Sequence, residues 1–395
     1  MLISFAMILL VGMLMGLIFE KLKLPKLLGM MVTGIILSPY ALNLIDPTVI
    51  SISADLRKIA LIIILARAGL ALDIQDLKKV GRPAILMCFV PACFEILGVV
   101  LIAPKLFGIS LIEAAIMGSV LAAVSPAVVV PKMLKLMKEG YGVRESIPQL
   151  IMAGASIDDV FVIVMFTAFT GLASGGNVSL FSAVQIPISI IMGLGLGIFT
   201  GICMVFVFKR FHMRDTAKVI VFISVSFLMV TVEESLKGVV PVSGMLAVMA
   251  LGGTIMKSYS VLATRLSEKF SKLWYVAEII LFVLVGATVD LKYVAVAGVS
   301  AVLLIFGVLI FRMAGVLVCL IKTKLSLRER MFCMVAYMPK ATVQAAIGAI
   351  PLAMGLSCGK IVLTVAVLSI LITAPLGAFG IDLTYKKWLK SANEE

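Results

Sequence analysis

The chain has 395 residues, 62% hydrophobic and 14% charged, with a mean hydropathy of +1.20 and a net charge of +13. A soluble globule is about half apolar and about a quarter charged, so this composition belongs in a membrane. The positive excess has no long basic run, aromatic–basic interleaving or glycine-rich phosphate loop behind it, which argues against nucleic acid as a partner. Six cysteines (Cys88, Cys93, Cys203, Cys319, Cys333, Cys358) sit in or beside apolar stretches without metal-like pairing and read as small core residues. The one histidine, His212, leaves no room for a multi-histidine zinc site or histidine catalysis.

A spanning helix takes about 20 mostly apolar residues. Thirteen stretches qualify, over about 3–19, 25–40, 57–73, 83–104, 111–131, 146–173, 181–208, 216–234, 239–256, 273–290, 295–321, 329–352 and 358–384. The first lacks a basic lead and a cleavage site, so it reads as a retained helix and not a signal peptide. The second is short and holds Gly29 and Gly34. Lys and Arg gather at alternate joints: Lys21, Lys23, Lys26; Lys78, Lys79, Arg82; Lys132, Lys135, Lys138, Arg144; Lys209, Arg210, Arg214, Lys218; Lys257, Arg265, Lys269, Lys272; Lys322, Lys324, Arg328, Arg330; and Lys386, Lys387, Lys390. The other joints hold only Arg57, Lys58, Lys105, Lys237, Lys292 and Lys360. Short cytoplasmic loops are rich in these residues, which puts the N-terminus outside and the C-terminus in the cytoplasm; the expected location is a plasma (inner) membrane.

Two segments resemble each other: Ile62 to Leu77 and Ile279 to Val294 each end an apolar run with Gly-x-x-x-Asp, at Gly69/Asp73 and Gly286/Asp290. The copies fall at opposite membrane faces, the mark of an inverted repeat. Glu95 and Arg312 follow their glycines at the same distance. The fifth stretch contains Ser125-Pro126 and Pro131, and the twelfth Pro339-Lys340 and Pro351. Proline removes a backbone donor and tends to break a helix, and matched broken helices point to a transporter's midplane site. The expected fold is therefore an all-α polytopic membrane protein, one transporter unit over 1–395. Its repeats cover about 1–175 and 214–385 and are joined by a helix at 181–208.

A charge at the bilayer centre costs roughly 2.5–3.5 kcal/mol, so each one retained is a functional candidate. The deep set is Arg67, Glu95, Asp158, Asp159, Glu278, Arg312 and Lys340. Asp158 and Asp159 are neighbours on the sixth stretch and point about 100° apart, so one can face a wet cavity while the other meets a counter-charge. A buried carboxylate there can hold either a proton or a hard alkali cation, and exchange follows from that competition. Ser125 and the carbonyls freed by Pro126 offer further oxygen ligands. Lys340 is expected either to neutralise a carbonyl end or to pair with Asp158. Glu95 and Arg312 are expected to form a structural ion pair. Arg67 and Glu278 stay unassigned, and Glu233 and Glu234 sit near the outer end of the eighth stretch.

Ala123-Val124-Ser125-Pro126-Ala127-Val128-Val129-Val130-Pro131, Ser156-Ile157-Asp158-Asp159 and Pro339-Lys340-Ala341-Thr342-Val343-Gln344-Ala345-Ala346-Ile347-Gly348, in that order, resemble the cation/proton antiporter superfamily over nearly the whole chain. The similarity is closest to the two-aspartate sodium/proton exchangers, including the branch with mammalian members. It implies inverted repeats with two crossed, broken helices. It also implies core-type helices at about 83–173 and 295–384, dimerisation-type helices at about 1–40 and 181–256, and a homodimer. Asp159 would be the principal sodium and proton carrier and Asp158 the second acid, which implies electrogenic exchange. Val124-Ser125 stands where many relatives have Thr-Asp, and Arg312 where electrogenic members have a lysine; arginine is a poor proton carrier. The expected function is sodium (lithium)/proton antiport without cofactor or covalent chemistry. Potassium/proton antiport and sodium-coupled organic-anion symport are the alternatives.

Overall fold

The computed structural model describes residues 1–71, 81–174, 180–211, 213–236 and 242–391; Asp73, Lys78, Lys79, His212 and Lys237 lie outside them. The helices in chain order are α1 (Leu2–Lys21), α2 (Lys26–Leu37), α3 (Pro47–Ser51), α4 (Ser53–Leu70), α5 (Arg82–Met87), α6 (Val90–Phe107), α7 (Leu111–Leu121), α8 (Pro126–Glu139), α9 (Ile147–Ser174), α10 (Leu180–Arg210), α11 (Asp215–Ser235), α12 (Gly244–Ser258), α13 (Ser260–Ala287), α14 (Leu291–Cys319), α15 (Leu327–Ala336), α16 (Thr342–Ile347), α17 (Ile350–Ala353) and α18 (Gly359–Trp388). Among the described residues, nine helical stretches are long and apolar enough to cross a membrane, and Lys26–Leu37, Gly244–Ser258 and Thr342–Ala353 are shorter apolar ones. The chain is a multi-pass membrane protein. Asp55, Arg57, Lys58 and Arg67 keep α4 out of the strongly apolar class, although it occupies the predicted third stretch.

The structure departs from the sequence reading in two places. The predicted tenth stretch is the second part of a 28-residue helix that starts at Ser260, so Arg265, Lys269 and Lys272 are helical and not in a loop. Lys, Glu and Arg propagate a helix well while adding nothing to hydropathy, which is why an apolar window misses that part. The fifth stretch breaks at Ala122–Ser125, before Pro126, but α8 then runs on through Pro131. Membrane helices tolerate such a proline when neighbouring groups satisfy the carbonyl it frees. Pro126 itself sits in the first turn of α8, where a missing N–H costs nothing.

Both broken helices start alike. Ser110 with Glu113 and Ser326 with Glu329 form capping boxes at the heads of α7 and α15. In each of the two the first half ends after about three turns, and the second half starts the same distance from its serine cap, at Pro126 and at Thr342.

By contact the chain divides into two compact units: Met1–Ala54, Gln75–Val162 and Ile279–Glu395 form one, and Asp55–Ile74 with Ile163–Glu278 the other. In the first, α6 packs on α7 and α14, while α18 packs on α8, α14, α15 and α16. Gly286 lets α13 press against α2: a Cβ there would lie 2.2 Å from the Met31 carbonyl oxygen. In the second, α12 packs on α10 and α11. Gly69 of α4 plays the same part there, since its Cβ would lie 2.3 Å from the Met249 carbonyl oxygen. Such close approach through small residues drives helix association in lipid, where burial of apolar area does not. Ile198, Phe199, Ile202 and Phe206 on α10 are exposed, whereas Glu95, Asp158, Arg312 and Lys340 are buried. This is the polarity expected where the solvent is hydrocarbon.

Candidate ion-binding site

The two breaks meet backbone to backbone. Ser125 N–H, at the head of α8, donates to the Pro339 carbonyl between α15 and α16 at 2.8 Å. The end of α7 leaves carbonyls without helical partners, and these carry partial negative charge. Leu121 O accepts from Lys340 Nζ at 2.5 Å and from Gln344 Nε2 at 3.1 Å. Ala123 O accepts from Gln344 Nε2 at 2.9 Å, and Ala122 O accepts from Arg312 Nη1. On the other side of the break, Val124 N–H donates to Asp158 Oδ2 at 2.9 Å. Lys340 N–H donates to Thr373 Oγ1 at 3.0 Å, which anchors the second break to α18.

Arg312 is the hub. Its Nη1 lies 2.9 Å from Glu95 Oε2, its Nη2 2.9 Å from Asp158 Oδ2, and its Nε donates to the Tyr337 carbonyl at 2.7 Å. Glu95 Oε1 also meets Lys340 Nζ at 2.5 Å. Two carboxylates and two cations, none more than 1% exposed, thus form one charge-balanced cluster. Taking an ion out of water costs several kcal/mol, and only tight geometry with further hydrogen bonds compensates for it; Arg312 and Lys340 make those bonds with the carbonyls of the breaks.

Asp159 is the acid outside this balance. It is partly buried, its Oδ1 has no hydrogen-bond partner, and no described cation pairs with it. Ser125 Oγ, Asp158 Oδ1, Thr342 Oγ1 and Gln344 Oε1 are further buried oxygens without a hydrogen-bond partner. Buried polar atoms are normally satisfied, and these oxygens are of the kind that a bound cation or water would satisfy.

The structure therefore brings together Glu95, Val124, Ser125, Asp158, Arg312 and Lys340. Lys340 goes to a carbonyl end and to Glu95, not to Asp158, and the Glu95–Arg312 pair extends to Asp158. Arg67 and Glu278, within the second unit, lie in electrostatic reach of one another. Glu233 Oε2 accepts from Gly244 N–H at 2.8 Å and so caps α12; the Glu234 side chain lies outside the described part. Gln344, Thr342 and Thr373 are neutral, so no charge in an apolar stretch marks them. A polar pair one turn apart in the last apolar stretch, Ser369 and Thr373, was the available signal.

A polytopic chain with two crossed, broken helices around buried acids is a secondary transporter, not an enzyme. The chain belongs to the sodium/hydrogen exchanger family: the family model described as sodium/hydrogen exchanger, transmembrane, matches residues 6–387. It is 35% identical over 354 residues to sodium/hydrogen exchanger 9B2 of Xenopus tropicalis, covering 86% of this chain and 65% of that protein. Against the Homo sapiens 9B2 exchanger it is 32% identical over 386 residues, covering 94% of this chain and 71% of the relative. The fold matches the sodium proton antiporter MjNhaP1 of Methanocaldococcus jannaschii at pH 8 with a TM-score of 0.83 and 18% identity, over 97% of each chain. Ion exchangers of this family need no cofactor, since the ions are substrates.

Proposed function

We propose that this chain exchanges Na⁺ or Li⁺ for H⁺ by alternating access, with Asp159 as the carrier that sodium and protons occupy in turn. The observation that carries the reading is a charge-balanced cluster beside one acid, Asp159, with which no cation among the described residues pairs. Asp158, held by Arg312 and Val124 N–H, fixes the electrostatic setting and offers its free Oδ1, while Ser125 Oγ supplies a neutral oxygen. Val124 contributes backbone only, so the break between α7 and α8 acts through its main chain.

Because Asp158 is paired with Arg312 in this structure, one acid exchanging per cycle is the simplest stoichiometry. A response of exchange to an imposed membrane potential would show that Asp158 also leaves Arg312, as the electrogenic reading requires. Matched capping boxes, matched breaks and the equivalent uses of Gly69 and Gly286 support two inverted repeats over about 1–175 and 214–385. The alternation of Lys and Arg supports a plasma-membrane exchanger with its N-terminus outside and C-terminus inside. A homodimer rests on likeness to the family.

The test is reconstitution into proteoliposomes with an imposed pH gradient, probed with Na⁺, Li⁺ and K⁺. Na⁺ and Li⁺ should dissipate the gradient, and Asp159→Asn should abolish the effect. Wild-type exchange by Asp159→Asn would overturn the assignment, and dissipation by K⁺ alone would move the substrate to potassium.

A further inference from the structure

Asp158 can serve the site only if Arg312 stays aimed at it, and the question is what aims Arg312. Tyr337, in the break between α15 and α16, is completely buried. Its carbonyl accepts from Arg312 Nε at 2.7 Å, and its ring lies 5.3 Å from the guanidinium carbon. One residue therefore holds the arginine from two directions, by a hydrogen bond to its edge and by a π-face against its charge. At its far end the Tyr337 hydroxyl donates to the Met87 carbonyl at 3.3 Å, at the end of α5.

The other wall of this slot is Gly154, one helical turn before Asp158 on α9. A Cβ at that position would lie 2.1 Å from the Tyr337 hydroxyl oxygen and 2.9 Å from Met87 Cβ. Neither distance is possible without movement. Since Tyr337 is enclosed on every side, the movement would pass along the ring to its backbone and hence to Arg312. The glycine here is not a helix-packing glycine of the Gly69 or Gly286 kind, because the atom it makes room for belongs to the residue that positions the hub of the cluster.

We infer that Tyr337 is a positioning residue that aims Arg312 at Asp158, and that Gly154 is the space that lets it do so. The inference rests on the reading of Asp158 and Asp159 as the exchange site. Gly154→Ala displaces the tyrosine, loosens the Arg312–Asp158 contact and weakens cation binding while leaving Asp159 in place. Tyr337→Phe keeps the carbonyl and the ring, loses one long hydrogen bond and serves as the baseline for the double variant. Combining the two removes the hydroxyl that lies closest to the new methyl and leaves the 2.9 Å approach to Met87 Cβ, so the double variant recovers most of the loss.

The experiment measures initial rates of Na⁺-driven pH change in proteoliposomes for the four proteins, with melting temperatures in detergent alongside. Gly154→Ala should raise the apparent KM for Na⁺ about tenfold with kcat within about twofold of wild type, the split that marks lost ground-state binding. Gly154→Ala/Tyr337→Phe should regain most of the affinity that Gly154→Ala loses, measured against Tyr337→Phe alone. An unchanged KM in Gly154→Ala, or a double variant no better than Gly154→Ala, overturns the inference. If Gly154→Ala does not reach the membrane, Tyr337→Leu removes the ring from the other end. It should raise KM likewise, and a wild-type KM there also overturns the inference. Asp159→Asn in the same assay separates the two levels. If it exchanges normally, the site reading fails; if it is dead while Gly154→Ala behaves as wild type, only the role of Tyr337 fails.

Discussion

Arg312 touches two carboxylates and two backbone carbonyls, so removing it strands Glu95 and Asp158 in a dry crossing. Breaking one side of a buried ion pair costs about 3–5 kcal/mol. Arg312→Gln should therefore melt several degrees below wild type, whereas Asp159→Asn, which removes an uncompensated acid, should melt at or above it while losing exchange. Equal destabilisation by the two, measured by thermal unfolding in detergent, would show that Asp159 is as much a part of the cluster as Asp158. That the deep charges matter was legible from the sequence, because hydrocarbon makes every retained charge conspicuous. Their pairing was not legible. Arg312 and Asp158 lie 154 positions apart, and nothing local tells an arginine which of two acids to take. Gln344 carries no charge and stood out only as part of the motif from Pro339 to Gly348, yet it bridges two carbonyls of the break.

At the scale of the helix, the two breaks are legible in part. Proline marked both regions, but only some prolines interrupt: Pro126 opens α8, whereas Pro131, Pro104 and Pro375 lie within helices. What distinguishes the break is the set of side chains waiting to take the freed carbonyls, and those come from α14 and the neighbourhood of α16. The heads of the broken helices are fixed by serine caps and not by the site. Ser326→Ala should cost about 1 kcal/mol of stability, visible as a lower melting temperature, while the apparent KM for Na⁺ stays at the wild-type value. A changed KM would mean that the cap also sets the position of the break.

For the molecule as a whole, hydropathy marked an all-helical, multi-pass chain because a bilayer requires apolar length. Of the thirteen stretches expected, nine helical ones among the described residues are long and apolar enough to cross, and the part of α13 between Ser260 and Lys272, rich in Lys, Arg and Glu, was missed. The distribution of Lys and Arg makes a separate claim about sidedness. With the exposed Cys93 and Cys203 replaced, a cysteine introduced at Ser391 should react with an impermeant maleimide only after the cells are opened. Labelling of intact cells would invert the topology.

The hydrogen bond from Ser125 N–H to the Pro339 carbonyl has a consequence for how ion preference can change over time. Main-chain atoms clasp the crossing, and main-chain atoms are the same whatever side chain is encoded. Positions 124, 125 and 342, whose side chains hold none of the freed carbonyls, can therefore be rewritten one at a time, trading apolar group or hydroxyl for carboxylate or amide, while the clasp stays shut. Selectivity is free to drift among lineages on a scaffold that does not have to be reinvented.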